Sequence, residues 1–130
     1  MKTEEKDSME MGDASPVERA EEFIRQHYAE EFKVDKVADA LFINKSYLMR
    51  IFKEYTGITL LQYLNTIRCK KAEELLQNTN LTIESIAFKV GYATASHFTR
   101  VFKQINGQTP LRYRRMMKRK ERQSYNNDSY

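Results

Sequence analysis

Arginine and lysine recur in two segments of the sequence at the same spacing and among similar neighbours. The segments are Asn44–Thr59 and Thr94–Thr109, which align at an offset of 50 residues. Identical residues meet at six positions: Ser46/Ser96, Arg50/Arg100, Phe52/Phe102, Lys53/Lys103, Gly57/Gly107 and Thr59/Thr109. A guanidinium can donate paired hydrogen bonds to guanine O6 and N7, and an ammonium can bind phosphate. The chemistry offered by the repeated cations is therefore recognition of a polyanion.

The cations of each segment share one side of a predicted helix. Residues at i, i+3, i+4 and i+7 lie on one helical face, and the outward sets are Ser46, Met49, Arg50 and Lys53 in the first copy and Ser96, Thr99, Arg100 and Lys103 in the second. The opposite faces are apolar, with Leu48, Ile51, Phe52 and Tyr55 in one copy and Phe98, Val101, Phe102 and Ile105 in the other. Neither outward set contains an acid, although solvated helix faces usually mix both signs of charge. Such faces suit a phosphate-lined groove.

The repeat extends to the helix that precedes each segment. At an offset of 49, Val34, Val37, Ala38 and Leu41 match Ile83, Ile86, Ala87 and Val90, so the second copy carries one extra residue in its turn. A short helix, a turn and a longer helix, used twice, are the pattern of a tandem helix-turn-helix. A helical hairpin that is duplicated only for packing is the alternative.

Apolar periodicity and capping signals predict an all-α fold of seven helices, in two helix-turn-helix subdomains joined by a long linker helix. The predicted helices are Pro16 to about Ala29 behind the cap Ser15, Val34–Leu41, about Lys45–Tyr55 behind Asn44, about Leu60–Gln77, from the cap Thr82 through Val90, from Thr94 to Gly107, and Leu111 to about Lys118. Within residues 15–118, the first subdomain covers about 15–57, the linker helix about 60–77 and the second subdomain about 82–118. Residues 1–14 are predicted to be a disordered acidic leader, and residues 119–130 a polar tail that frays.

The formal net charge of +4 divides unevenly along the chain. Residues 1–35 carry 5 Lys and Arg against 11 Asp and Glu, a net charge of −6, whereas residues 36–130 carry 17 against 7, a net charge of +10. A basic body with an acidic start favours a polyanionic partner, of which nucleic acid is the simplest. A solvated helical domain without such a partner is the alternative.

Several other function classes find no support in the sequence. The chain has one Cys among 130 residues, no apolar run of the roughly 18 residues that span a membrane, and a start too acidic for a signal peptide, so we expect a cytoplasmic protein. It has no Gly-rich phosphate loop, paired-carboxylate motif or nucleophile elbow, and no metal-ligand spacing around His27 or His97. We therefore expect neither an enzyme nor a cofactor. Cys69 lies between Arg68 and Lys70, whose charges can lower a thiol pKa; a structural thiol is the alternative.

Taken together, these motifs resemble the AraC/XylS family of bacterial transcription regulators. The resemblance rests on Ile86-Ala87, Val90-Gly91-Tyr92, Phe98, Arg100, Phe102-Lys103, Gly107, Thr109-Pro110 and Tyr113-Arg114, and upstream on Tyr47-Leu48, Arg50, Phe52-Lys53, Gly57, Tyr63, Arg68 and Ala72. It covers about residues 17–115. It implies two lobes whose third and sixth helices enter adjacent major grooves of double-stranded DNA, in a regulator that we expect to be an activator. Relatives that repair alkylated DNA use a metal-bound Cys cluster, which one Cys cannot provide.

Carried over position by position, the resemblance assigns base reading to Lys45, Ser46, Met49, Arg50, Ala95, Ser96, Thr99 and Arg100. Phosphate contacts are expected at helix N-termini and nearby cations, namely Asn44, Lys53, Thr94, His97, Lys103, Arg112 and Arg115. The basic cluster at residues 112–122 either neutralises phosphate or is a solvated helix end. The acids assigned to the first helix either aid solubility or meet a partner such as RNA polymerase; they are Glu18, Glu21, Glu22, Glu30 and Glu31.

The linker helix sets the expected geometry on DNA. About 18 residues at 1.5 Å each span roughly 27 Å, whereas one turn of B-DNA is about 34 Å. If the separation of the two reading helices falls short of a full turn, the DNA must bend to engage both, at a cost of about 1–6 kcal/mol. Two non-identical reading helices predict a monomer on an asymmetric site of two boxes about one turn apart. Because the family often carries an effector or dimerisation domain, the chain is either a small stand-alone regulator or the output domain of a longer protein. A protein-interaction adaptor or anti-regulator that keeps the fold without sequence-specific DNA binding is the alternative function.

Overall fold

A computed structural model of the protein describes residues 15–128, with side chains through residue 126. These residues form seven α-helices: α1 Pro16–His27, α2 Val34–Leu41, α3 Lys45–Thr56, α4 Leu60–Asn78, α5 Ile83–Lys89, α6 Ala95–Asn106 and α7 Pro110–Asp128. Residues 15–128 contain no strand, so the predicted all-α fold of seven helices is confirmed. The predicted leader, residues 1–14, lies outside the described residues, as do residues 129 and 130.

The first helix begins at the predicted capping box. The Ser15 backbone N–H donates to Glu18 Oε1 at 3.2 Å, and the Glu18 N–H donates to Ser15 Oγ at 3.1 Å. Each side chain thereby satisfies a backbone donor of the helix start. The helix ends at His27, about two residues before the predicted end.

The two longer helices of the repeats, α3 and α6, begin and end in the same way. The side chains of Asn44 and Thr94 each accept a hydrogen bond from the backbone N–H three residues further on. Gly57 and Gly107 follow the last helical residues with φ of +83° and +80°. Such left-handed conformations are strained for residues with a Cβ but not for glycine. Both glycines end their helices where the sequence predicts, so the predicted glycine stops are confirmed.

The last helix is longer than predicted. We expected an end near Lys118 and a fraying tail, but α7 continues to Asp128, so the predicted boundary is wrong. The continuation is rich in Arg, Lys, Glu and Gln, which are good helix formers, and it contains neither Gly nor Pro. It also lacks an apolar period, which is why the sequence pattern did not reveal it.

The chain forms two compact units, each with its own core. One comprises the described residues up to His27 together with Phe32–Leu64, and the other comprises Tyr28–Glu31 and the described residues from Asn65. The first core contains Val17, Ala20, Ile24, Val37, Ala38, Leu41, Leu48, Ile51, Phe52, Leu60 and Leu64. The second contains Cys69, Ala72, Leu76, Ile86, Ala87, Val90, Tyr92, Phe98, Val101, Phe102 and Tyr113. In each core, the apolar face of the longer repeat helix faces inward.

The helix-turn-helix turns of the two units share one backbone arrangement. Ile43 N–H donates to Ala38 O at 3.0 Å, and Tyr92 N–H donates to Ala87 O at 2.9 Å. Both alanines are buried, and their small side chains let a crossing helix approach closely. The repeat seen in the sequence is therefore also present in the backbone structure.

Besides the extra residue of the second turn, the turns differ at the position of Phe42 and Gly91. Phe42 ends α2 with φ +58° and is 93% exposed, whereas the matching Gly91 has φ +109°. A Cβ built on Gly91 would lie 2.7 Å from Arg68 Nε, so that turn has no room for a side chain. Phe42 instead holds a left-handed conformation that few bulky residues adopt.

Arg68 is a buried cation in the second unit. Its Nε donates to Tyr28 O at 2.7 Å, its Nη2 donates to Glu30 O at 2.9 Å, and the guanidinium lies 5.0 Å from the Tyr92 ring centroid. Burial lowers the pKa of the guanidinium from its usual value, and the contact with Tyr92 opposes this change. Arg68 therefore joins the chain near residue 30 to α4.

Three predicted core residues are largely exposed. Tyr55 is 76% exposed and Ile105 46%, so their assignment to apolar inner faces is wrong; Leu61, which apolar periodicity places on the inner face of the linker helix, is 53% exposed and corrects that prediction too. Tyr55 and Ile105 occupy the last turn of their helices, beyond the final buried residues Phe52 and Phe102. No helix within residues 15–128 combines the length and hydropathy needed to cross a bilayer.

Candidate nucleic-acid interface

The outward face of α3 is accessible along the whole helix. Its predicted base-reading and phosphate-binding residues are all exposed: Lys45, Ser46, Met49, Arg50 and Lys53. The opposite face is buried through Leu48, Ile51 and Phe52, and α3 packs against α1 and α2. The capping residue Asn44 is also exposed.

Two carboxylates pair with cations of this face. Lys45 Nζ lies 2.8 Å from Asp35 Oδ1, and Arg50 Nη1 lies 3.5 Å from Glu54 Oε2. The Asp35 carboxylate raises the pKa of Lys45 above its usual value. The Arg50 guanidinium also lies 5.3 Å from the Tyr47 ring centroid. The first outward set contains no acid, but carboxylates from outside the set pair with Lys45 and Arg50.

The outward face of α6 has the same layout without these ion pairs. Ser96, Arg100 and Lys103 are exposed, and Ala95 and Thr99 are half-buried. Among the described residues, no carboxylate forms an ion pair with Arg100 or Lys103. The residue that matches Glu54 in the alignment is the uncharged Gln104.

The start of α6 presents His97 beside an aromatic ring. The imidazole is exposed and lies edge-on to Tyr92, with ring centroids 5.2 Å apart. The backbone N–H of His97 donates to Thr94 Oγ1 at 3.1 Å, so the exposed Thr94 is used as a helix cap. The imidazole itself remains accessible to a ligand.

An open groove beside the end of α6 brings three predicted phosphate ligands together. We call it the basic groove. It has a volume of about 540 Å³ and is lined by Lys103, Arg112 and Arg115 together with Gly107, Gln108, Thr109 and Leu111. The three cations come from α6 and from the first two turns of α7. A concave site with three cations and no carboxylate in its lining suits an anion such as phosphate.

The basic cluster of residues 112–122 divides into two groups. The Arg114 guanidinium donates to the carbonyl oxygens of Leu76, Thr79 and Leu81, and Lys118 Nζ donates to Gln77 O at 3.4 Å. The other cations are exposed, namely Arg112, Arg115, Arg119, Lys120 and Arg122. Arg114 falls on the same side of α7 as Met117, and this position on the apolar side was the signal of its structural role.

Cys69 is a core residue. The side chain is 1% exposed, and burial, with a smaller contribution from Glu73, raises the pKa of the thiol to about 12. The neighbouring cations therefore do not activate it, and the structural alternative describes it correctly. Among the described residues, no group of three or more His, Cys, Asp or Glu could hold a metal ion.

The acids assigned to the first helix have different surroundings. Glu18 belongs to the capping box, and Glu22 Oε1 accepts a hydrogen bond from Arg25 Nη2 at 2.8 Å, which lowers the pKa of that carboxyl. Glu30 and Glu31 lie beyond the end of α1, so their placement on that helix is wrong. Within the helix, two carboxylates thus have structural partners.

The sequence is similar to a known domain family and to a transcriptional activator of Bacillus subtilis. A family model described as a helix-turn-helix domain matches residues 37–116, which is more than half of the chain. The bifunctional transcriptional activator/DNA repair enzyme AdaA of Bacillus subtilis (strain 168) is 36% identical over 111 residues, covering 85% of this chain and 53% of AdaA. The chain therefore spans about half the length of that relative.

Solved structures share the fold. The C-terminal domain of AraT, a response regulator from Geobacillus stearothermophilus, is 38% identical with a TM-score of 0.76, covering 79% of this chain and 86% of that domain. The DNA-binding domain of AdpA, a global transcriptional factor crystallised with a target DNA, is 24% identical with a TM-score of 0.78, covering 85% of this chain and 99% of that one. The second likeness is one of fold alone. The family match across both repeats, with the seven-helix fold, shows that the chain belongs to the AraC-type family of helix-turn-helix DNA-binding domains of transcription regulators.

Proposed function

We propose that the chain regulates transcription by binding a specific double-stranded DNA site with α3 and α6 as its two reading helices. The observation that carries the proposal is the duplicated outward face. Each copy exposes an Arg and a Lys four and seven residues after a serine, on a helix whose other side is buried in its own unit. A helix presented in this way is suited to enter a major groove.

The proposed readers differ between the two faces. Lys45, Ser46, Met49 and Arg50 would contact base edges in one box, and Ala95, Ser96, Thr99 and Arg100 in the other. Arginine suits guanine because its planar fork donates to O6 and N7 together. Met49 and Ala95 can make only apolar contacts, for which the thymine methyl is the available partner. Different side chains at matching positions imply an asymmetric site of two boxes, bound by a monomer.

Phosphate would be bound at the edges of these faces. Lys53 and Lys103 follow the proposed arginines, and the caps Asn44 and Thr94 mark helix starts where backbone N–H groups can meet an anion. Arg112 and Arg115 would act with Lys103 through the basic groove, and His97 from the start of α6. The ion pairs of Lys45 and Arg50 are exposed to solvent, which screens them, so they oppose DNA binding only weakly.

Activation is the proposed direction of control. The relative from Bacillus subtilis bears the name of a transcriptional activator. When the chain is supplied, expression of a reporter gene placed downstream of its DNA site is expected to rise. Contact with RNA polymerase would follow from such activation.

The decisive experiment is selection of bound sequences from a random duplex pool, followed by substitution of the two arginines. Arg50→Ala and Arg100→Ala are each expected to cost about 1–3 kcal/mol of binding free energy, roughly 5- to 150-fold in affinity. Because each arginine reads its own box, each variant should relax the sequence preference in a different half of the site. Affinity on single-base variants of the selected site measures this effect.

Arg50→Lys and Arg100→Lys are the matched controls, because they keep the charge but lose the planar fork. They should retain most binding to random duplex while losing preference at the same bases as the alanine variants. An equal loss on every sequence would contradict the base-reading roles. A protein that selects no sequence and shows no salt-sensitive binding to random duplex would instead be the adaptor or anti-regulator.

A further inference from the structure

Four arginines follow one side of α7. Arg112, Arg115, Arg119 and Arg122 are spaced by three, four and three residues, and all four are exposed. At 100° per residue they lie within an arc of about 80°, and they extend over roughly 15 Å of the helix. We call this set the arginine stripe. Its first two members line the basic groove beside α6.

Within the described part of the chain, the arginine stripe has no ion-pair partner. Among the described residues, no carboxylate forms an ion pair with any of its members, and Glu121 falls on a different side of the helix. Like charges three and four residues apart destabilise a helix. Neither packing nor ion pairing in the described part of the chain therefore accounts for four arginines on one exposed face.

The internal repeat shows what the first turn of α7 has lost. At the start of α4, Thr59 N–H donates to Gln62 Oε1 at 2.8 Å, and Gln62 N–H donates back to Thr59 Oγ1 at 3.0 Å. At the start of α7, Arg112 takes the matching position, and only its own N–H bond to Thr109 Oγ1 is present, at 3.2 Å. A cation in the first turn also faces the positive end of the helix dipole. This arrangement is unfavourable for the free helix and favourable for binding an anion.

We propose that the arginine stripe is one continuous surface for the DNA backbone, in which Arg119 and Arg122 add two phosphate contacts to those of the basic groove. The inference rests on the proposed function, and it assigns a role to the part of α7 beyond the predicted domain end. Arginine fits because its fork binds two phosphate oxygens at once. A surface of this kind adds affinity on every sequence and does not select bases.

The test compares the wild-type chain with the Arg119→Gln/Arg122→Gln double variant on the selected site and on a random duplex of equal length. Each lost phosphate contact reduces the magnitude of the negative slope of log affinity against log salt by about 0.9, so the double variant should reduce that magnitude by about 1.8 on both duplexes. Its affinity deficit should therefore shrink about tenfold between roughly 50 and 200 mM salt. Glutamine preserves helix propensity, and circular dichroism checks that the fold is unchanged.

Lys120→Gln is the charge-matched control, because Lys120 is exposed on another side of α7. It should change the salt slope far less than Arg119→Gln alone, and an equal change would show that net charge acts instead of the arginine stripe. An unchanged slope in the double variant, while Arg100→Ala still loses its base preference, would overturn the inference and leave the proposed function intact. That result would be expected if the stripe bound an acidic protein. Absence of duplex binding by the wild-type chain would overturn the proposed function itself.

Discussion

Adjacent arginines of α7 perform different tasks. Arg114 Nε donates to Leu76 O at 3.0 Å, Nη1 to Leu81 O at 2.7 Å and Nη2 to Thr79 O at 3.2 Å. One guanidinium thereby satisfies three carbonyls between the end of α4 and the start of α5. The next residue, Arg115, is exposed and lines the basic groove.

We expect Arg114→Ala to lower the free energy of unfolding by about 2–3 kcal/mol, because three carbonyls lose a charged donor and only those that water reaches are satisfied again. Arg115→Ala should change it by less than about 0.5 kcal/mol. Urea unfolding of both variants measures the difference. In DNA binding the order of the two effects should reverse. Arg115→Ala should reduce the magnitude of the slope of log affinity against log salt more than Arg114→Ala does. Equal destabilisation by the two substitutions would contradict the structural role of Arg114.

At the scale of the helix, the first turn of α7 exchanges stability for charge. Gln62 completes a capping box in α4, and Arg112 stands at the matching position of α7 without a reciprocal bond to its cap. Each helix follows a Thr, and its first two residues are apolar. The difference in cap therefore comes from one side chain.

Arg112→Gln is expected to raise the free energy of unfolding by about 0.5–1 kcal/mol, because it restores the second bond of the box and removes a cation from the helix start. The same variant should bind duplex DNA more weakly. Arg112→Ala is the matched control, since it removes the cation without adding a bond and should gain less stability. Urea unfolding at constant salt compares the three proteins, and equal stability of the Gln and Ala variants would contradict the capping argument.

Helix positions were predictable from the sequence because their ends carry local signals. Ser15, Asn44 and Thr94 act as caps, and Gly57 and Gly107 as stops, where the pattern placed them. The extension of α7 is not predictable from periodicity, because its residues favour helix without an apolar repeat. Local signals thus predict starts and stops better than they predict solvent-exposed helix.

The surroundings of the candidate site were less predictable. Asp35 reaches Lys45 from another helix, and Arg114 bonds carbonyls more than 30 residues away. Sequence spacing within one helix carries no information about such contacts. Glu54 is the exception, because it lies four residues after Arg50 and its pairing could have been read from the spacing.

Across the whole molecule, the two repeats share a backbone arrangement but differ in the ion pairs on their outward faces. Cations of the first outward face pair with Asp35 and Glu54, whereas Arg100 and Lys103 have no carboxylate partner among the described residues. The basic groove and the arginine stripe also belong to the second unit. We therefore expect the second unit to contribute more of the salt-dependent affinity.

Global stability should decline in alkaline solution. Burial raises the pKa of Cys69 to about 12 and also raises that of Tyr92. Above about pH 9 the unfolded chain loses the thiol proton while the folded chain keeps it, so the unfolded state gains stability by up to about 1.4 kcal/mol per pH unit. Tyr92 adds to the decline above about pH 10.

Urea unfolding between about pH 8 and 10 measures this decline, with Cys69→Ala as the control. The variant will be less stable overall because it loses buried volume, but its stability should fall less steeply between about pH 9 and 10. Parallel curves for the two proteins would contradict the role of the thiol.

The last turns of α7 form a helical segment of marginal stability. Residues 119–126 are all exposed, so no buried side chain supports that part of the helix. A short segment of this kind has a helix–coil equilibrium close to balance, and its like charges shift that equilibrium toward coil. An anion bridging Arg119 and Arg122 would remove the repulsion and lengthen the ordered helix. By reciprocity, the factor by which anion binding favours the ordered helix equals the factor by which the ordered helix favours anion binding.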